Sequence, residues 1–203
     1  MATTVASGLQ RREALLDTAA AIVAEGDIDA LSMETVAGRA GVSRPLVYKH
    51  FANKRELLVE VYRREATLLD AEIRETVGGA DGFEDAVRSM IRAIFQGARA
   101  RGPIFTVLRR AGAQSRTVRD DQRSRDRRTV RFFGRLAAEE FGLDEADARA
   151  AMSILLGGID PVLMQWRARG GPAQERFLED MYVRIVFGGL ANLTATPGAT
   201  RPR

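Results

Sequence analysis

Residues 31–58, LSMETVAGRAGVSRPLVYKHFANKRELL, decide how the rest of the chain is read. Ser32 stands where a helix N-cap belongs, and Val36 and Ala40 follow at the spacing of one buried helix face. Gly41 then supplies the positive φ that a tight helix-to-helix turn requires. Ser43 stands at a second N-cap, with Pro45 in the first helical turn, where its missing N–H is not needed. Val42, Val47 and Phe51 point inward, whereas Arg44, Leu46, Tyr48, Lys49 and His50 point outward. Asn53, with Glu56 three residues on, resembles the capping box that opens a further helix. Two short helices joined by such a turn are the layout that lays one helix across a DNA backbone and the next in the major groove.

Composition narrows the alternatives. The chain has 203 residues, 45% of them hydrophobic, which suffices for a small domain and a larger one. Cysteine is absent and histidine occurs once, at His50, so disulfide scaffolds, zinc clusters and Cys–His catalysis are excluded. No apolar run reaches the roughly 18 residues of a membrane span, and MATTVASGLQRRE lacks a signal-peptide core. A soluble, cytoplasmic protein with no membrane partner is therefore expected. The formal charge is +4 at neutral pH, which permits a polyanionic partner without demanding one. Over residues 1–54 the basic and acidic side chains cancel, and the basic excess lies between Arg99 and Arg131. DNA binding would rest on where the charges sit.

Apolar residues recur at helical spacing almost throughout, and alternating β-branched runs are missing, so the chain is predicted to be all-α with about nine helices. The first helix is expected over about 10–25, with Leu15, Ala19 and Ile22 on one face and Gly26 as its stop. A long helix follows Asn53 as far as Gly78–Gly79, and Asp81 with Glu84 opens another, carrying Phe83, Val87, Met90, Ile94 and Ala98. A short helix holding Ile104, Val107 and Leu108 comes next, then a polar stretch over 115–128 leading into a helix with Val130, Phe133 and Ala137 inward. Asp144 is predicted to cap a single helix running to about 169 and kinked at Pro161. Its stripe is Ala148, Met152, Leu155, Ile159, Val162 and Trp166. The last helix, about 173–193, shows Phe177, Met181 and Ile185 on one face and Leu178, Tyr182 and Leu193 on another. The expected domains are a helix-turn-helix DNA-binding domain at 1–54 and a helical effector-binding and dimerisation domain at 55–194. A disordered tail is expected at 195–203.

Residues 31–58 closely resemble the DNA-binding segment of the TetR family of bacterial transcriptional regulators. The matching elements are Leu31-Ser32, Val36-Ala37, Ala40-Gly41-Val42-Ser43, Val47-Tyr48-Lys49-His50-Phe51 and Asn53-Lys54-Arg55-Glu56-Leu57-Leu58. The resemblance covers roughly residues 11–62, and beyond them only helix number and length look similar. It implies that Tyr48, His50 and Lys54 touch DNA phosphates, and that Ser32 does so at the start of its helix. Arg44 is the best base-edge candidate, because a guanidinium pairs bidentately with guanine O6 and N7. Ser43, Pro45 and Lys49 belong to the same surface, and Arg11 and Arg12 stand where they can reach the backbone or minor groove. Two positions depart from the family pattern. Leu46 replaces a small polar residue, so it either reads a thymine methyl or is half-buried. Glu34 stands where some members carry a base, which weakens any case for base contact from that helix.

Blander readings stand beside these. His50 is a phosphate contact or a structural ring, and no nucleophile or metal partner makes it catalytic. Met90, Phe95, Phe105, Leu108, Met152 and Trp166 either line a small-molecule pocket or are plain core. The 99–131 basic cluster is a solvated face, an anionic-ligand entrance or an extra DNA contact. Leu155, Ile159, Val162, Tyr182, Val186 and Leu193 either pack internally or build a two-fold dimer face, with Gly157–Gly158 and Gly188–Gly189 allowing close helix approach. In the resembled family the last helices form that interface. The expected protein is a homodimeric, ligand-responsive repressor of a palindromic operator, without cofactor or metal and not an enzyme. Its rival is a DNA-binding module with no small-molecule effector, architectural or partner-controlled; an activator is a further variant.

Overall fold

The computed structural model describes residues 2–25, 28–102, 104, 108 and 115–195. Among them are nine helices and no strand: α1 (Ala2–Ala24), α2 (Met33–Arg39), α3 (Arg44–His50), α4 (Lys54–Gly78), α5 (Gly82–Arg101), α6 (Arg116–Phe141), α7 (Glu145–Leu156), α8 (Ile159–Arg169) and α9 (Pro172–Ala195). The all-α reading holds. Two compact units emerge, one of residues 1–70 with 97–122, the other of residues 71–96 with 123–203. The first unit is thus larger than the expected 1–54 segment, because α4 supplies it with Leu57, Val61, Tyr62 and Ala66 as core.

In the first unit, Leu15, Leu16, Ala19, Ile22 and Val23 of α1 meet Val36 and Ala37 of α2, Val47 and Phe51, and the start of α4. α1 begins at Ala2, earlier than expected, since no proline precedes Gln10 and Gly8 alone does not interrupt a helix. Its predicted stop, Gly26, lies outside the described residues. Glu65 is buried in α4, where Arg64 Nη2 at 2.9 Å and Arg101 Nε at 3.4 Å neutralise it. Arg64 also reaches Asp17 at 2.8 Å, so one guanidinium ties α4 to α1.

In the second unit, Phe83, Val87, Met90, Ile91 and Phe95 of α5 pack with Phe133 and Ala137 of α6, Ala148 and Met152 of α7, and Leu178, Tyr182, Val186 and Leu190 of α9. Buried Glu179 joins α9 to α5 through Arg92 Nε at 2.9 Å and Arg88 Nη1 at 3.3 Å. Among the described glycines Gly134 has the least room: a Cβ there would stand 2.7 Å from Arg149 Cγ and 3.1 Å from Arg149 Cα. Within the chain a Cβ on Gly188 would meet nothing within 4 Å, and one on Gly189 would lie 3.9 Å from Leu155 Cδ2 of α7. A Cβ on Gly157 or Gly158 would stand 3.2 Å from a carbonyl oxygen of its own preceding turn, and one on Gly158 would also lie 3.7 Å from Tyr182 Cε2 of α9.

Two expectations about helices fail for identifiable reasons. The 115–128 stretch is helical, forming the first half of α6. Its arginines, aspartates and glutamine are unbroken by glycine or proline until Gly134, and Val118 anchors it in the first core. The helix predicted from Asp144 to 169 is two helices. α7 ends at Leu156 with Gly157 as C-cap, and α8 restarts at Ile159, so Pro161 sits in a first turn and kinks nothing. Asp144 does cap α7, accepting from the Ala146 N–H at 2.8 Å. The expected short helix around 104–108 and the tail lie mostly outside the described residues.

Candidate nucleic-acid interface

α2, its turn and α3 are built as their residue types dictate. Ser32 Oγ accepts from the Thr35 N–H at 2.9 Å and shares a 2.8 Å bond with the Thr35 hydroxyl. α2 closes in a Schellman motif: the Val42 N–H donates to Ala37 O at 3.0 Å and the Gly41 N–H to Gly38 O at 3.3 Å. Gly41 has φ +65°, the left-handed conformation that a side chain would strain. Ser43 occupies the α3 N-cap position, but its exposed hydroxyl makes no cap bond, contrary to expectation. Pro45 falls in the first turn of α3 as expected.

The rotation of α3 is set by burial. Val47 and Phe51 are wholly inaccessible to solvent, and burying each contributes about 1.5–3 kcal/mol. Arg44, Pro45, Tyr48 and Lys49 are consequently exposed, while Leu46 and His50 are half-buried. Tyr48 is not a core tyrosine.

Charges around this row are arranged unevenly. Arg44 keeps its pKa above the ordinary arginine value, held first by a hydrogen bond with Tyr48 and then by the Glu34 carboxylate, whose Oε2 lies 3.7 Å from Arg44 Nη1. His50 titrates below the ordinary imidazole value of 6.5, through burial first and then the positive charges of Lys49, Arg11 and Arg12. The end of α3 and the middle of α1 thus form one cationic corner. Lys54 Nζ donates to Ile28 O at 3.0 Å, so this lysine fastens the loop before α2 as well as standing at the surface.

Arg12 has a different task from the one its sequence position suggested. Its guanidinium pairs with Glu60 of α4 and lies over the Phe51 ring, 5.1 Å from the centroid. It clamps the end of α3 instead of reaching outward, leaving exposed Arg11 as the free arm. Thr35, which shares the α2 N-cap with Ser32, went unnoticed in the sequence; its hydroxyl three residues after the cap was the available signal.

The other predicted sets are only partly assembled. Met90, Phe95, Met152 and Trp166 belong to the second core, with the Phe95 and Trp166 rings 5.4 Å apart. Leu108 belongs to the first core, and Phe105 lies outside the described residues. Of the predicted dimer face, Tyr182 and Val186 are buried in the chain's own core, and the Tyr182 hydroxyl donates to Leu155 O at 2.9 Å. Leu155, Ile159 and Val162 are half-buried against that core, and Leu193 is exposed. The outward apolar residues are Ile154, Met164, Phe177 and Ile185, each more than half exposed. Among the described residues there is no cluster of His, Asp or Glu fit to hold a metal, and no helix long and apolar enough to cross a membrane.

Residues 15–61 match the model of the family described as bacterial regulatory proteins, tetR family. The transcriptional activator FasR of Mycolicibacterium smegmatis is 31% identical over 86 residues, 42% of this chain and 39% of FasR. The transcriptional repressor KstR of Mycobacterium tuberculosis is 38% identical over 76 residues, 37% of this chain and 34% of KstR. The chain therefore matches little more than a third of either relative. A transcriptional regulator from Rhodococcus sp. RHA1 superposes with a TM-score of 0.72 at 23% identity, covering 88% of this chain and 96% of that one, which shows a shared fold. The Schellman turn at Gly41, the N-cap at Ser32, the buried Val47 and Phe51 and the α4 capping box at Asn53 all fall inside the matched segment. Residues 15–61 thus match the TetR family of bacterial regulatory proteins, and the chain shares the fold of a solved transcriptional regulator.

Proposed function

We propose that the chain is a DNA-binding transcriptional regulator that reads a palindromic operator as a homodimer and releases it when a small molecule binds the second unit. One observation carries this reading. Arg44, Tyr48 and Lys49 stand exposed on a helix whose opposite side is locked by Val47 and Phe51, beside the cationic corner of Arg11 and His50. That is a surface able to enter a major groove while contacting phosphates on either side. Arg44 would meet guanine, and Lys49, Tyr48, His50, Lys54, Arg11 and Ser32 would meet the backbone.

Dimerisation is favoured by the exposed Phe177, Ile185 and Met164, since two-fold pairing both covers such residues and sets two reading heads on successive grooves. An effector is favoured by Trp166, whose indole nitrogen is buried without a hydrogen-bond partner beside Phe95. A mostly apolar molecule bearing one acceptor oxygen would satisfy it. Such a ligand moves the equilibrium only by binding the released state more tightly. Among relatives, FasR is a transcriptional activator and KstR a repressor, and repression is the reading adopted here.

Footprinting on DNA upstream of the protein's own and neighbouring genes tests the proposal. Protection of two half-sites roughly 10 bp apart, or a multiple of that, is expected. Arg44→Ala should cost about 1–3 kcal/mol at that site. Unchanged binding by both Arg44→Ala and Lys49→Ala would overturn the assignment of α3 as reader.

A further inference from the structure

Several acidic side chains of the first unit are paired with arginines outside α3. Glu25 binds Arg39, Asp17 binds Arg64, and Glu13 lies beside Arg12 and Arg64. Glu34 behaves differently. It is three-quarters exposed, and its partner is Arg44, the residue placed to read a base. An uncompensated carboxylate beside a polyanion is repelled, so a glutamate on this surface lowers affinity unless it meets a hydrogen-bond donor.

The geometry permits that meeting. At 3.7 Å the Glu34–Arg44 contact is longer than a hydrogen bond, so it orients the guanidinium without consuming its donors. The separation also approximates the rise of about 3.4 Å between neighbouring base pairs. Two groups so spaced can address adjacent base edges. An ionised carboxylate only accepts, and the major groove offers it two donors, cytosine N4 and adenine N6. Adenine N6 is flanked by the N7 acceptor, which repels a carboxylate, whereas cytosine has no acceptor beside N4 on its own edge.

We propose that Glu34 is a specificity-determining residue: it accepts from cytosine N4 in the base pair next to the guanine taken by Arg44, so that each reading head selects a guanine and a neighbouring cytosine as a unit. This rests on the DNA-binding reading given above.

Selection from a randomised double-stranded DNA library, with the full chain and with Glu34→Ala and Glu34→Gln, tests it. The parent should enrich half-sites with cytosine at a fixed place beside the guanine. Glu34→Ala should keep the guanine and lose the cytosine, and Glu34→Gln should move that position toward adenine, which a carboxamide pairs bidentately. In titrations, changing the cytosine should weaken the parent roughly 5- to 150-fold and Glu34→Ala less than about twofold. Glu34→Ala enriching the same sequences with the same base preferences would overturn the proposal while leaving DNA reading intact. A parent that enriches no sequence would sink both.

Discussion

Replacing Arg12 with alanine is expected to destabilise the first unit, whereas replacing its neighbour Arg11 is not. Arg12 loses two interactions at once. Its guanidinium lies 5.1 Å from the Phe51 centroid with 30% of the side chain exposed, between an open and a desolvated cation–π contact, so about 1 kcal/mol is at stake. Its bond to Glu60 is charge-assisted, in a class whose loss costs about 1.5–3 kcal/mol. Glu60 keeps a second partner, Arg63 Nη1 at 3.1 Å, which puts the loss near the lower bound. The sum is roughly 2–3 kcal/mol, a large share of the 5–15 kcal/mol typical of a domain. In urea unfolding followed by circular dichroism, with a slope of about 2 kcal/mol/M, the midpoint should fall by roughly 1 M. Glu60 supplies a second readout. Burial raises its carboxyl pKa, but hydrogen bonds from Arg12 and Arg63 outweigh this and leave it below the ordinary 4.5. The associated stability is present above that value and is lost as pH falls through the lowered folded pKa, and Arg12→Ala should flatten this acid limb. Arg11→Ala should leave the midpoint in place and reduce the salt slope of DNA binding by about one unit. Equal midpoints for Arg12→Ala and the parent would refute the clamp.

His50 should make DNA binding pH-dependent: its imidazole is depressed in the free protein, a phosphate would raise it, so affinity should increase from about pH 8 to about pH 6, and His50→Asn should remove that slope. The same depression makes folding stability fall as pH drops below the unfolded value of about 6.5, so the two effects run in opposite directions and fluorescence anisotropy must be read alongside unfolding curves. Gly134→Ala gains about 1 kcal/mol of helix propensity but forces a Cβ to 3.1 Å from the Arg149 backbone, an overpacking cost of about 1–3 kcal/mol, so urea unfolding should show it neutral to roughly 2 kcal/mol less stable. A stabilised Gly134→Ala would show that the helices can separate freely there. Phe177→Glu and Ile185→Asp alter exposed positions and should convert a dimer to monomers in light scattering while the circular dichroism stays helical. Dimers that persist in both variants would place the interface elsewhere.

The first unit was legible because its constraints are local. A cap at Ser32, a positive φ at Gly41, a proline confined to a first turn and a capping pair at Asn53 and Glu56 each follow from residues a few positions apart. Together they fix where α2, α3 and α4 begin and end, and the pattern of Val47 and Phe51 then fixes which side of α3 is outward. What remained hidden were long-range partners. Arg12 and Glu60 are 48 residues apart, and Lys54 and Ile28 are 26 apart, so an exposed-looking cation in the sequence became a structural fastener. Ser43 failed in the opposite sense: a residue type suited to capping stands at the cap without making the bond.

The second unit was harder to read because its helices carry apolar residues on more than one face. In α9 the stripe Leu178, Tyr182, Val186, Leu190 is buried while Phe177 and Ile185 face out, and spacing alone gives both stripes equal standing. The Tyr182 hydroxyl breaks the tie physically. It needs an acceptor when buried, and Leu155 O near the end of α7 provides one, so the face bearing Tyr182 turns inward and Phe177 is carried outward with the opposite side. Burial also raises the Tyr182 pKa, keeping the phenol protonated and able to donate. The buried hydroxyl thus has its partner on the inward face, and Phe177 and Ile185 stay exposed on the other.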